Sequence, residues 1–233
     1  MSQDLLVIVP SRGRPQNIQR LLQAWTDTAA TAQLEVAVDD DDPMLSEYLR
    51  IMDHLEPEVG PLAHCVVGER LRLGPTLNAR AVEAARLYRY VGFMGDDHLP
   101  RTNAWDDRIT DHLADLRTGI VYGNDLLQGQ ALPTAVFMTA DVIDTLGYFS
   151  PPELIHMYLD DAWKAWGEGM GRLRYLDDVV IEHMHPVAGK ADGDVLYGES
   201  NAVMGKDSIA YDHYKVSGEL HADIAKLTAL AAS

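Results

Sequence analysis

The stretch Tyr90-Val91-Gly92-Phe93-Met94-Gly95-Asp96-Asp97-His98 decides the reading of this chain. Tyr90–Met94 has the length and apolar content of a short buried strand. The run breaks at Gly95 and delivers two adjacent carboxylates, Asp96 and Asp97. Placed side by side at a strand end, they repel each other unless a positive charge lies beside them. A hard divalent cation answers that need, takes oxygen ligands, and keeps coordination positions open for phosphates. The plainer alternative is an acidic loop in which one Asp caps the helix that follows near residue 105. The apolar run before the pair, and Gly95 within it, favour the functional reading.

Working outward, the first half repeats the same grammar. LLVIV at 5–9 reads as a buried strand, and Pro15 suits a first helical turn. Ile18, Leu21, Leu22 and Trp25 follow at helical spacing. LEVAV at 34–38 is a second strand running into DDDDP. A helix near 43–55, a strand near 63–67, and a helix opened by GPT come next. That last helix carries Leu77, Ala81, Ala84, Ala85 and Tyr88 on one face. Alternating strands and helices predict an α/β fold with a mostly parallel central sheet covered on both sides. Ligands of such sheets bind beyond the carboxyl ends of the strands. Polar clusters fall at three such ends: Pro10–Arg14, Asp39–Asp42 and Asp96–His98.

Beyond residue 100 the pattern is more mixed. Helices are expected at 105–117, 140–146 and 159–168, and strands at 119–122, 134–138 and through VVIEH. Residues 189–207, rich in Gly and Asp, read as a mobile loop, and the tail from about 208 as helix. One domain over 1–233 is expected: a nucleotide-binding half (1–100), an acceptor and catalytic half (101–188), and the loop with its C-terminal helix (189–233).

Bulk properties narrow the function. Nineteen basic against 36 acidic residues give a net charge of −17, which argues against non-specific nucleic-acid binding. A local cation and a few arginines can still hold a diphosphate in an acidic chain. Cys65 is the single cysteine, so no intramolecular disulfide forms. The N-terminus reads as a first strand, not a signal peptide, and no stretch has the length of a membrane span. A cytoplasmic protein is the expectation, and a homo-oligomer stays open.

Other constellations carry chemistry. In DDDDP, Asp39 and Asp40 lie nearest the strand end and can accept hydrogen bonds from a base or ribose, whereas Asp41 and Asp42 fit a solvated turn. Arg12, Arg14 and Arg80 can fork onto phosphate oxygens. Asp160 and Asp161 open the Trp163/Trp166 helix. One Asp suffices as a cap, which leaves the second for proton transfer near an acceptor hydroxyl. His183 and His185 share a strand face at period two, and an imidazole can complete a carboxylate metal site.

The order of these pieces resembles the GT-A fold glycosyltransferases, in particular the inverting group called family 2 and its small phage and bacterial members. VIVPSRGRP is similar to that group's opening strand and loop, and VDDDDP to its V-D-D-G-S motif without the Gly-Ser. GPTLNARAVEAA is similar to its G-x-x-x-A-R-N-x-G segment with Asn78 and Arg80 exchanged in order. FMGDDH stands where the family has D-x-D, with Gly95 in place of the first Asp. AVFMTADVIDTLGYFSPPELIHMYLDDAWKAWGEGMG resembles its acceptor-side segment, Asp160 replacing the usual Glu.

The resemblance implies a Rossmann-like GT-A sheet and a glycosyltransferase using Mn2+ or Mg2+ and a nucleotide-sugar donor, taken as a UDP-sugar. Pro10, Ser11, Arg12, Arg14, Asp39, Asp40, Asn78, Arg80 and Asp96 would line the donor pocket. Asp97, with His183 or His185, would bind the metal, and Asp161, seconded by Asp160, would be the base. A retaining enzyme and a non-catalytic nucleotide-sugar or glycan-binding module are the alternatives.

Overall fold

The computed structural model describes residues 4–55, 62–184 and 195–233, with 195–203 as helix backbone only. The expected alternation is present: β1 (Leu5–Ser11), α1 (Pro15–Asp27), β2 (Gln33–Asp39), α2 (Leu45–Asp53), β3 (Ala63–Gly68), α3 (Leu73–Ala84) and β4 (Tyr90–Phe93). The second half adds β5 (His98–Pro100), α4 (Trp105–Leu116), β6 (Ile120–Asn124), β7 (Val136–Thr139), α5 (Ala140–Leu146), α6 (Leu159–Gly169), β8 (Leu173–His183), α7 (Val195–Val216) and α8 (Glu219–Ala231). They form one eight-stranded sheet in the order β3-β2-β1-β4-β7-β6-β8-β5. β1, β2, β3 and β4 pair in parallel, β7 is antiparallel to β4 and β6, and β6 is parallel to β8. Two reversals cancel, so β6 and β8 point the same way as β1–β4. One edge of the sheet therefore gathers the carboxyl ends of β1, β2, β3, β4, β6 and β8.

Alternation along β1 shows why the sheet is covered twice. Leu5, Val7 and Val9 belong to one core with α1, α2 and α4, while Leu6 and Ile8 belong to a second core with α3, α5 and α6. A continuous apolar strand is what a sheet buried on both faces requires. In the first core Trp25 and Trp105 meet edge to face, with centroids 5.1 Å apart. Such a pair contributes about 0.5–1.5 kcal/mol beyond its burial. In the second, Trp163 packs on Phe93 and Phe149.

Three expectations change. β5 was not foreseen; it pairs antiparallel with β8. Helix α7 begins at Val195, inside the segment read as a mobile loop, whose residues 189–194 lie outside the described residues. Asp42 is not part of a solvated turn. It is buried, and its carboxylate accepts the Gly13 and Met44 amides at 2.8 and 2.6 Å, tying the loop after β1 to the loop after β2.

Candidate metal and nucleotide-sugar site

The gathered strand ends carry the expected polar residues, and the structure shows how they divide the work. Asp96, at the end of β4, is turned inward and 5% exposed. Its carboxylate accepts from the Ser11 hydroxyl (2.6 Å), the Arg14 guanidinium (3.3 Å) and the Asn17 amide (3.5 Å). Tyr48 completes the knot, with its hydroxyl 2.8 Å from Ser11 Oγ and accepting the Arg14 amide at 2.8 Å. Burial, then the neighbouring Asp97 charge, push the Asp96 carboxyl up to about 6 against Arg14 and Ser11. Asp96 thus fixes the β1 loop to the β4 end.

Asp97 faces a different set. Its two oxygens lie 3.3 Å from His98 Nδ1 and 3.4 Å from His183 Nε2. Burial would raise this carboxyl, but the flanking His183 and His98 imidazoles hold it well below the usual range. Register brings the histidines together. His98 on β5 is paired with His183 on β8, and their rings stack at 4.1 Å. The Met184 amide donates to the Asp97 carbonyl at 2.8 Å, and the His183 amide to the Asp125 carbonyl at 3.0 Å. The end of β8 is so fastened to the ends of β4 and β6.

Asp97, His98 and His183 form a group able to hold one cation, their ligand atoms lying within 4.8 Å of one another. Spacings of 3.3 and 3.4 Å are near the roughly 3 Å between adjacent ligands around a cation with bonds of about 2.1 Å. The donor set, one carboxylate and imidazoles, suits Mn2+ better than Ca2+. The histidines are not equivalent. His98 Nδ1 accepts the Gly95 amide at 3.1 Å and its Nε2 sits 3.4 Å from Thr134 Oγ1. Thr134 in turn donates to Asp125 at 2.8 Å, and Asp125 also accepts the amides of Leu127, Gln128 and Gly129. His98 must release the Gly95 amide to ligate through Nδ1. In this arrangement Asp97 and His183 could ligate without that loss. A Cβ on Gly95 would lie 2.7 Å from Asp97 Oδ1 and 2.9 Å from His98 Nδ1, so a side chain there would displace these two groups.

The remaining predicted residues lie on the ends of β1 and β2 and on the first turn of α6. Pro10 is on β1 beside Ala37 of β2. Arg12 is bound to Asp39 at 2.9 Å and to Asp41 at 2.5 Å, and Arg70 approaches Asp39 at 3.6 Å. Burial raises the Asp39 carboxyl against these two arginines. Asp40 is exposed, with its amide on Gly68. Asp160 and Asp161 occupy the first turn of α6. Burial, then the Asp161 charge, push Asp160 up to about 6, and His183 lies near enough to oppose the rise.

Two residues are committed elsewhere in this arrangement. Arg80 forks onto buried Glu35 at 2.7 and 2.8 Å and reaches Glu83 at 2.7 Å. Asn78 spends its carboxamide on the backbone of residues 149–150, accepting the Phe149 and Ser150 amides at 2.8 Å each and donating to the Ser150 carbonyl at 3.0 Å. His185 lies outside the described residues.

Sequence reasoning passed over Arg70 and Arg72, which follow β3, and Asp125, which follows β6, although the strand-end rule that picked Asp96 applies equally to them.

Comparison with family models gives no match, and neither does comparison with curated protein sequences. Solved structures do match. The mannosyltransferase PcManGT from Pyrobaculum calidifontis, in complex with GDP-Man and Mn2+, superposes with a TM-score of 0.61 at 17% identity, over 99% of this chain and 81% of that one. A protein assigned as a glucose-1-phosphate thymidylyltransferase from Bacillus anthracis, in complex with a sucrose, gives 0.51 at 8% identity, over 74% and 86%. At these identities the likeness carries the fold and not the activity. The chain has the GT-A-like mixed α/β fold of nucleotide-sugar transferases, and among its described residues no helix is long and apolar enough to cross a membrane.

Proposed function

We propose that this chain is a metal-dependent glycosyltransferase that moves a sugar from a nucleoside-diphosphate sugar to an acceptor hydroxyl. The observation that carries the reading is the meeting of Asp97 with His183 at the ends of β4 and β8, beside the Arg14–Asp96 knot. A cation on Asp97 and His183 would supply charge neutralisation for the diphosphate leaving group. Arg12 and Arg14, both on the β1 loop, would share that role by hydrogen bonding. Pro10, Ser11, Asp39 and Asp40 would frame the nucleoside, with a UDP-sugar as the first donor to test. Arg80 and Asn78 would support the pocket through Glu35 and the 149–150 backbone instead of touching the donor.

Asp161 would take the acceptor proton while the acceptor oxygen bonds to the anomeric carbon and the carbon–oxygen bond to the diphosphate breaks. Asp160, hydrogen-bonded to the Asp161 amide at 3.1 Å, would fix the turn that presents it. This chemistry inverts the anomeric centre. The fold is shared with nucleotidyl transfer, but the loop after β1, SRGRP, lacks the Gly-rich, Lys-bearing pattern expected for that reaction. The histidine beside Asp97 favours a second reading, a retaining transferase, and anomeric NMR of the product separates the two. The direct test is Asp161→Asn with a nucleotide-sugar and Mn2+. Transfer should fall by at least about a hundredfold with donor affinity unchanged, in the range expected for loss of a general base. Full activity would exclude Asp161 as the base.

A further inference from the structure

Strand β6 ends at Asn124 and runs into the loop Asp125-Leu126-Leu127-Gln128-Gly129. Asp125 is 3% exposed and ties that loop together. Its Oδ1 alone accepts three successive amides: Leu127 at 2.9 Å, Gln128 at 2.7 Å and Gly129 at 2.8 Å. Aspartate and asparagine both serve such turns, since either offers the one oxygen required. The turn therefore accounts for Oδ1 and leaves the second oxygen, Oδ2, to be explained. A carboxylate this deeply buried is costly unless its remaining acceptor capacity is also matched by donors.

Oδ2 faces the two imidazoles of the candidate metal centre. The Thr134 hydroxyl donates to it at 2.8 Å. With its proton so committed, Thr134 Oγ1 can only accept from His98 Nε2, 3.4 Å away. The other nitrogen of that ring, Nδ1, accepts the Gly95 amide at 3.1 Å and so carries a lone pair. Both contacts require one neutral tautomer of His98, with the proton on Nε2 and the lone pair on the nitrogen nearer Asp97. His183 repeats the arrangement with no hydroxyl between. Its Nδ1 lies 3.9 Å from Asp125 Oδ2, its Nε2 lies 3.4 Å from Asp97 Oδ2, and its amide donates to the Asp125 carbonyl at 3.0 Å. One buried anion thus stands behind both rings, each time at the nitrogen that does not face Asp97.

We propose that Asp125 is a positioning residue of the metal centre: its Oδ2 selects the Nδ1–H tautomer of His183, which leaves a lone pair on Nε2 for a cation shared with Asp97. A carboxylate behind a ligating imidazole fixes the ring and raises its basicity as a ligand. The 3.9 Å separation is about 1 Å longer than an N–H···O hydrogen bond, a gap that a small turn of the ring closes. The inference rests on the reading of Asp97 and His183 as metal ligands. It gives the loop after β6 a role in cation affinity although Asp125 itself holds no cation.

Nitrogen NMR of metal-free protein with isotope-labelled histidines, at about pH 8 and so well above the ordinary imidazole range, reads the tautomer directly. The His183 signal is identified by its loss in His183→Ala. Wild type should carry the His183 proton on Nδ1. Asp125→Asn keeps an oxygen for the three loop amides and turns a carboxamide N–H toward the ring, so His183 should move to the Nε2–H form. A role confined to the loop turn would leave the tautomer as it was. Calorimetric titration of Mn2+ should then show an affinity about ten- to a hundredfold lower in Asp125→Asn, the range for losing such a partner. A His183 proton on Nε2 in wild type overturns the proposal, as does undiminished Mn2+ affinity in Asp125→Asn. Should Asp125→Asn fail to fold, the wild-type tautomer still decides the question. Absence of Mn2+ binding in wild type, with the Nδ1–H tautomer in place, would overturn the metal reading itself, a distinct outcome.

Discussion

At the residue scale, two neighbouring carboxylates of identical sequence character end in opposite states. Asp96 is held by Ser11, Arg14 and Asn17 and its proton affinity rises, while Asp97 is held by two imidazoles and its proton affinity falls. The sequence shows that a charge pair stands at the strand end. It does not show the partners, which come from positions up to 86 residues away in the chain, His183 against Asp97. In the sequence Gly95 breaks the strand and stands in place of the first Asp of the resembling motif; in the fold a Cβ there would crowd Asp97 and His98. Gly95→Ala should therefore leave secondary structure intact and weaken Mn2+ affinity by about tenfold, as misplacing supporting groups of a metal site does. Unaltered Mn2+ affinity in calorimetry would show that the approach is not needed. Asp160 gives a pH prediction. Its folded value, about 6, lies above its ordinary 3.8, so the folded state binds the proton more tightly. Its contribution to stability is full below about 3.8 and is lost as pH rises to about 6. Without added metal, Asp160→Asn should flatten the fall in stability across that window by at most about 3 kcal/mol. Denaturant titrations at pH 4 and pH 7 measure it; equal slopes in both proteins would contradict the placement.

At the element scale, β1–β4 and their helices were legible because each strand is a run of apolar residues long enough to be buried on both faces and each helix carries an apolar stripe. β5 was not, since three residues ending in proline carry no periodicity and are a strand only through pairing with β8. The first half of α7, before about residue 208, was missed for a related reason. Gly198, Gly205 and a mixed polar pattern make the segment a poor helix by local preference. Its helix is secured by tertiary contacts along one face: Asp207 on residues 155–157, Tyr211 on Tyr158, and Tyr214, which accepts the Trp166 indole N–H at 2.8 Å and donates to Asp223 at 2.7 Å. Tyr214→Phe removes that bridge between α6, α7 and α8 and leaves the indole N–H unsatisfied, at a cost of about 1–3 kcal/mol. Chemical denaturation reads the loss. A change below about 0.3 kcal/mol would mean that α7 and α8 are not held through this node.

At the scale of the whole molecule, four arginines of an acidic chain follow the ends of two parallel strands, Arg12 and Arg14 after β1 and Arg70 and Arg72 after β3, on the edge that also carries the carboxylate–histidine centre. The fold accounts for that convergence: because β7 reverses between β4 and β6, strands far apart in sequence deliver Asp97, Asp125 and His183 to one edge. The three-cluster pattern was readable from strand ends alone, whereas the delivery of β6 and β8 to the same edge depends on a strand order that no local pattern encodes. The central claim is that Asp97 and His183 hold a cation that holds the donor. Calorimetric titration of UDP- and GDP-sugars into wild type and Asp97→Ala, each with and without Mn2+, tests it most directly. The account predicts donor binding that requires Mn2+ in wild type and disappears in Asp97→Ala; binding of equal strength in all four conditions would contradict it.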